Sequence, residues 1–181
     1  MSVIQMRFFS EVLNIFVPAN IILPLPRDAQ KSVSDLPVLT LLHGMGAGYS
    51  AWMRKTAIER YALENGVAVV MPDGELSCYE NMAHGHRYRD FIVQELPQVM
   101  RRTFPVSTDR EKNFIAGCSM GGFGALKLGL SCPEQWSIIG CFSAAHFEYQ
   151  PPSPATRLCW PVSTADKSTN MTRRSLRTPW R

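Results

Sequence analysis

The sequence predicts an α/β fold, a mostly parallel sheet with helices on both faces. Three observations predict it. Short apolar runs of strand length recur at "PVLTLLHG", "VAVVMPDG", "KNFIAGCS" and "WSIIGCFSA", and such unbroken runs suit strands covered on both faces. Stretches with helical spacing separate them, giving the β–α–β–α–β order of a parallel sheet. The first three runs each lead into a glycine-bearing loop, "HGMG", "PDGE" or "GCSMGG", at the strand ends where such sheets place their ligand crevice.

The elements follow in order. "IQMRFFSEVLNIFVPANIILP" alternates apolar residues around Pro18 and Pro24, which predicts strands near 4–9 and 12–23, paired antiparallel at one edge. Residues 27–36 are a polar loop, and 37–44 a buried strand. Residues 50–65 predict one helix, with Ser50 as N-cap and Gly66 as its stop. A second buried strand covers 67–74. Residues 87–103 predict an amphipathic helix carrying Phe91, Leu96 and Val99, kinked or broken at Pro97. A strand at 112–119, a helix at 122–132 and a last buried strand at 136–144 complete the series. From residue 151 the chain holds five Pro, four Ser and five Thr without apolar periodicity. The reading is therefore a folded domain over 1–150 and an irregular basic tail over 151–181.

Composition narrows the function. The chain has 181 residues, 45% of them hydrophobic, enough for one domain with a core. Its net charge of +4 comes from the tail, where Arg157, Lys167, Arg173, Arg174, Arg177 and Arg181 face only Asp166. The body is near neutral, and the tail lacks regularly interleaved aromatics, so neither argues for nucleic acid. Five cysteines without CxxC spacing predict reduced thiols in the cytosol rather than a disulfide framework or zinc site. No basic start with an apolar run marks a signal peptide, and no stretch is apolar enough to span a membrane.

The chemistry concentrates in Gly117-Cys118-Ser119-Met120-Gly121. By itself G-x-S-x-G is also a plain tight turn. Here a strand precedes it and a helix follows, the setting of a nucleophile elbow. Ser119 is the candidate nucleophile. The Met120 N–H, at the positive end of the helix, is one candidate oxyanion donor, and the Met45 N–H on the "HGMG" loop is the second. Each such donor contributes roughly 3–4 kcal/mol in the transition state. No cofactor or metal is called for. His43 is expected to bond backbone and brace the oxyanion loop. His84 and His86 lack companion ligands at useful spacing and read as a solvated loop. The usual chain order is Ser, then Asp or Glu, then His. After Ser119 come Glu134, Glu148 and Asp166, with His146 as the only histidine, so the order is not completed; His146, ending the last strand, is the weaker candidate for the base.

On the segments "FFSEVLNIFVPANIILP", "LLHGMGAGYSAWMRKTAIERYA", "MPDGELSCYENMAHGHRYRDFIVQELPQVMRRTFP", "FIAGCSMGGFGALKLGLSCPEQWS" and "CFSAA", the chain resembles the esterase D, or putative esterase, family of α/β-hydrolases. That group includes S-formylglutathione hydrolases and small bacterial tributyrin or acetyl esterases. The resemblance covers about residues 5–148. It implies hydrolysis of short-chain acyl (thio)esters through an acyl-serine on Ser119, with Met45 and Met120 supplying the oxyanion amides. It also implies that the triad acid and histidine belong on loops after two further strands, for which this sequence has no matching positions. The expected molecule is thus an α/β-hydrolase-like sheet missing its last strands, with impaired activity and an apolar strand 136–144 left as an edge that a second copy could cover. A non-catalytic remnant or binding protein, and an acyltransferase, are the alternatives.

Overall fold

A computed structural model of the chain describes residues 1–25 and 33–144. The expectations for His146 and for the tail lie outside the described residues. Among the described residues, six strands form one sheet: β1 (Ser2–Ser10), β2 (Ile15–Leu23), β3 (Val38–Leu42), β4 (Ala68–Pro72), β5 (Asn113–Cys118) and β6 (Ile138–Phe142), in the spatial order β1-β2-β4-β3-β5-β6. β1 and β2 pair antiparallel at one edge, and β2 joins β4 antiparallel. β4, β3, β5 and β6 are mutually parallel.

The chain runs from β3 to β4 on one side, then crosses back over β3 to β5 on the other. That reversal opens a crevice beyond the carboxyl ends of β3 and β5. Helices α1 (Ala51–Lys55) and α2 (Ile58–Asn65) cover one face, where Ala62 and Trp52 pack with Leu41, Val69 and Met71. The other face carries the helical stretch from Tyr88 to Thr103 and α5 (Met120–Ser131), whose Phe91, Ile92, Leu96 and Leu128 build the larger core with Ile21 and Val70.

Three local expectations are corrected. The single helix predicted over 50–65 is two. Thr56 is extended (φ −142°, ψ 170°), and its N–H and Oγ both bond Trp52 O, closing α1 before α2 begins. Ser50 precedes α1 but makes no side-chain cap; its Oγ instead accepts from Arg54 Nε at 3.1 Å. Gly66 stops α2 as expected, in the left-handed region (φ 64°), donating to Ala62 O and Leu63 O.

Pro97 does not break its helix. α3 (Tyr88–Asp90), a π-helical turn (Phe91–Glu95) and α4 (Leu96–Thr103) run on continuously. Leu96 N–H bonds the carbonyl five residues back, at Phe91. The wider turn makes room for a ring that carries no N–H and would crowd the preceding carbonyls.

The third correction concerns β6. Among the described residues it stands at the sheet's edge, as expected for a sheet missing its last strands, with Ile138 59% and Phe142 55% exposed; only the reading of its apolar run as a buried strand gives way. Apolar content reports what a strand could bury, not whether a neighbour is there to bury it.

Candidate active site

Ser119 stands between β5 and α5 with φ 55° and ψ −117°, a conformation that costs a residue with a side chain of order 1–3 kcal/mol. Its neighbours hold it there. Ser119 N–H donates to Phe142 O at 2.9 Å, and Phe123 N–H donates to Ser119 O at 2.9 Å. The turn closes by direct backbone contact. A Cβ on Gly117 would lie 2.2 Å from Gly121 O, and one on Gly121 would lie 2.4 Å from Leu42 O. The small residues flanking the serine thus let the end of β3, the end of β5 and the first turn of α5 touch. Met120 opens α5, and the first amides of a helix have no intrahelical acceptor. Its side chain is buried.

The loop after β3 lies against this turn: a Cβ on Gly44 would be 3.5 Å from Ser119 Cβ. His43, 2% exposed, fixes the loop as expected. Its Nδ1 meets Gly44 O at 2.8 Å, and its Nε2 accepts from Gly74 N–H at 2.8 Å. Tyr79 Oη donates to His43 O at 2.8 Å. Both ring nitrogens of His43 are therefore spent on backbone, and neither is left to receive the Ser119 proton.

The surrounding electrostatics follow from burial. Asp73 Oδ1 lies 3.4 Å from His43 Nε2. Partial burial pushes the Asp73 carboxyl up, but the His43 ring and the Glu75 and Tyr49 amides outweigh it and hold the group below the usual carboxylate range. Burial pushes the Tyr79 phenol well above its ordinary value, so it remains a donor to the loop at any physiological pH.

A cavity of about 300 Å³ opens beside the turn, between the loop and α1, lined among others by Gly44, Met45, Ala51, Trp52, Lys55 and Cys118. Trp52 is held as one wall: its Nε1 donates to Leu42 O at 3.0 Å, and its ring meets Phe142 edge-on. Met45, half exposed, stands at the mouth.

The fold thus brings Ser119, Met120 and the Met45 loop together at one crevice. His84 lies on an exposed loop and His86 is part-exposed beside Tyr88; His146 lies outside the described residues. Sequence reasoning missed Tyr79, Trp52 and Asp73. Tyr79 sits in an aperiodic loop, and no local pattern pairs it with His43, 36 residues earlier. Asp73 had one signal, its place in "PDGE" at a strand end.

Comparison with known proteins fits this geometry. The sequence model of the family described as putative esterase matches residues 10–174, a span that passes the compositional boundary at 150. An acetyl esterase of Caldicellulosiruptor saccharolyticus is 34% identical over 151 residues, 80% of this chain and 57% of the relative. An S-formylglutathione hydrolase of Paracoccus denitrificans is 29% identical, over 70% of this chain and 52% of its own. Among solved structures, the substrate-bound fluorophosphonate-binding serine hydrolase F of Staphylococcus aureus superposes with a TM-score of 0.75 at 37% identity, covering 79% of this chain and 57% of that one. The chain spans little more than half the length of the relatives it matches.

Proposed function

The chain belongs to the putative esterase family, and from that premise we propose that it cleaves short-chain acyl esters or thioesters through an acyl-serine formed on Ser119. The observation that carries this reading is the strained Ser119 backbone, locked by the contacts of Gly117 and Gly121 with their backbone neighbours. Ser119 Oγ attacks the carbonyl carbon. The oxygen of that carbonyl becomes an oxyanion and accepts from the Met120 and Met45 N–H groups. As the Oγ–carbonyl bond forms, the Oγ proton passes to solvent; collapse breaks the C–O or C–S bond, the leaving alcohol or thiol takes a proton from solvent, and water then hydrolyses the acyl-serine to release the acid and restore Ser119. The odd cysteine count supports a reducing compartment, the cytosol, as its setting.

One specific observation favours a slower variant of this reading. The attack must transfer the Oγ proton, and among the described residues no histidine is free beside Ser119, since His43 bonds backbone through both nitrogens. With triad partners removed, the oxyanion hole and binding alone retain roughly 10³–10⁴-fold acceleration over water. We therefore expect the chain as it stands to hydrolyse p-nitrophenyl acetate far more slowly than an intact serine esterase. A fluorophosphonate probe tests the nucleophile directly: labelling lost on Ser119→Ala supports the reading, and labelling that persists in that variant, or is absent from the parent chain, refutes it.

A further inference from the structure

Lys55 brings a cation to the cavity beside Ser119, and nothing among the described residues pairs with it. It has no ion-pair or hydrogen-bond partner there, and no acidic side chain lines the cavity. Its neighbour Arg54 is already engaged, with Ser50 Oγ and Ala47 O. Ala51 and Lys55 stand one turn apart on α1, about 6 Å along its axis, so both border the same space. The rest of the wall is mostly apolar: Met45, Ala47, Ala51 and the fixed Trp52 ring, with His43, Thr56 and Cys118 as its more polar members. A volume of about 300 Å³ equals roughly ten water molecules at liquid density, room for a short chain but not for a polymer.

We propose that this cavity binds the arm of an ester that has an apolar body of about four to eight heavy atoms and ends in a carboxylate, with Lys55 as the specificity-determining residue. The proposal rests on the reading of Ser119 as the nucleophile, which is what makes the cavity's ligand a substrate. The apolar body lies along Trp52 and Ala51, and the carboxylate meets the Lys55 ammonium at the rim. Because Lys55 is exposed and stays hydrated, the pairing sets a preference of a few-fold rather than a strict requirement. The carboxylate can belong to the acyl side, as in a half-ester of a dicarboxylic acid, or to the alcohol side, as in an acylated hydroxy acid.

The test is a ligand-observed NMR titration of the full chain with hexanoate and with hexan-1-ol at low ionic strength. Hexanoate should bind about three- to fivefold more tightly. Lys55→Met should erase the difference, Lys55→Arg should keep it, and 0.5 M salt should shrink it. Equal binding of the two ligands, no saturable binding of either, or a preference that survives Lys55→Met overturns the proposal. Turnover then separates the two sources: mono-p-nitrophenyl adipate and 6-acetoxyhexanoate, each compared with its methyl ester. A Lys55-dependent preference for either acid supports the proposal and names the side, whereas its absence from both overturns it. The binding arm does not depend on Ser119. Failure of fluorophosphonate labelling with the hexanoate preference intact would remove the nucleophile alone, and labelling without the preference would remove only the role of Lys55.

Discussion

Replacing Gly117 by alanine is the sharpest perturbation of this site. The added Cβ would lie 2.2 Å from Gly121 O, 2.3 Å from Gly121 C and 2.9 Å from its Cα. All three are backbone atoms, and normal contacts begin above about 3 Å, so the strand end and the helix start must part by about 1 Å. Gly121 has little room to retreat, because a Cβ on it would already lie 2.4 Å from Leu42 O and 2.7 Å from His43 O. The first turn of α5 must therefore shift as a unit. Forced overpacking of this kind costs about 1–3 kcal/mol, at the upper end where no side chain can yield. The same shift carries the Met120 amide, the proposed oxyanion donor, away from Ser119, and a misplacement of about 1 Å in a catalytic group costs on the order of 10²-fold in rate. The control is Gly66→Ala. Gly66 has φ 64° but nothing within 4 Å of its Cβ position, so it should lose only about 1–2 kcal/mol from left-handed strain and leave Ser119 labelling untouched. Denaturant midpoints by circular dichroism, with fluorophosphonate labelling rates for the same samples, read both effects. A Gly117→Ala chain as stable as the parent and labelled at the same rate would refute the contact argument.

Three further outcomes are expected. Tyr79→Phe removes the donor to buried His43 O and should lower stability by about 1 kcal/mol. Since the native phenol is held above its ordinary value, its contribution is complete below about pH 10 and declines as pH rises from there, so the variant should lose less stability than the parent under alkaline conditions. Burial raises the Asp90 carboxyl, but Asn81, Arg87 and Arg89 together hold it below its ordinary value. Its contribution is present above about pH 4 and lost as pH falls through the lowered native value, so Asp90→Asn should flatten the acid limb of the stability curve; an unchanged limb contradicts the assignment. Ile138→Lys on the exposed β6 should change stability by less than about 0.5 kcal/mol while reducing self-association by light scattering; equal association in both chains would mean that this edge is not the contact surface.

Much of the architecture was legible in the residues. The antiparallel pair at the edge, the parallel core and the glycine-bearing loops at the strand ends all follow from apolar runs and turn residues, which are local signals. The helix break at Thr56 was not legible. It depends on the Thr56 N–H and hydroxyl both turning back to Trp52 O, and a threonine in a helical pattern does not announce that choice. Pro97 was recognised as a disturbance, but whether it breaks, kinks or widens a helix depends on the core against which that helix packs. Leu96, Phe91 and Ile92 are buried there, and their burial holds the π-helical turn continuous.

For the candidate site, the division is between what neighbours in the chain determine and what distant segments determine. G-x-S-x-G between a strand and a helix was enough to single out Ser119, because the turn's constraints come from residues two positions away. The family's motifs likewise lie within short stretches of sequence. The state of His43 was decided only in three dimensions, where Gly74 N–H and Tyr79 Oη reach it from 31 and 36 residues away. So was the cavity, whose walls come from the loop after β3, from α1 and from Cys118. A turn's shape is a local steric matter, whereas a ring's partners and a pocket's charge depend on which remote groups the packed fold brings within hydrogen-bonding distance.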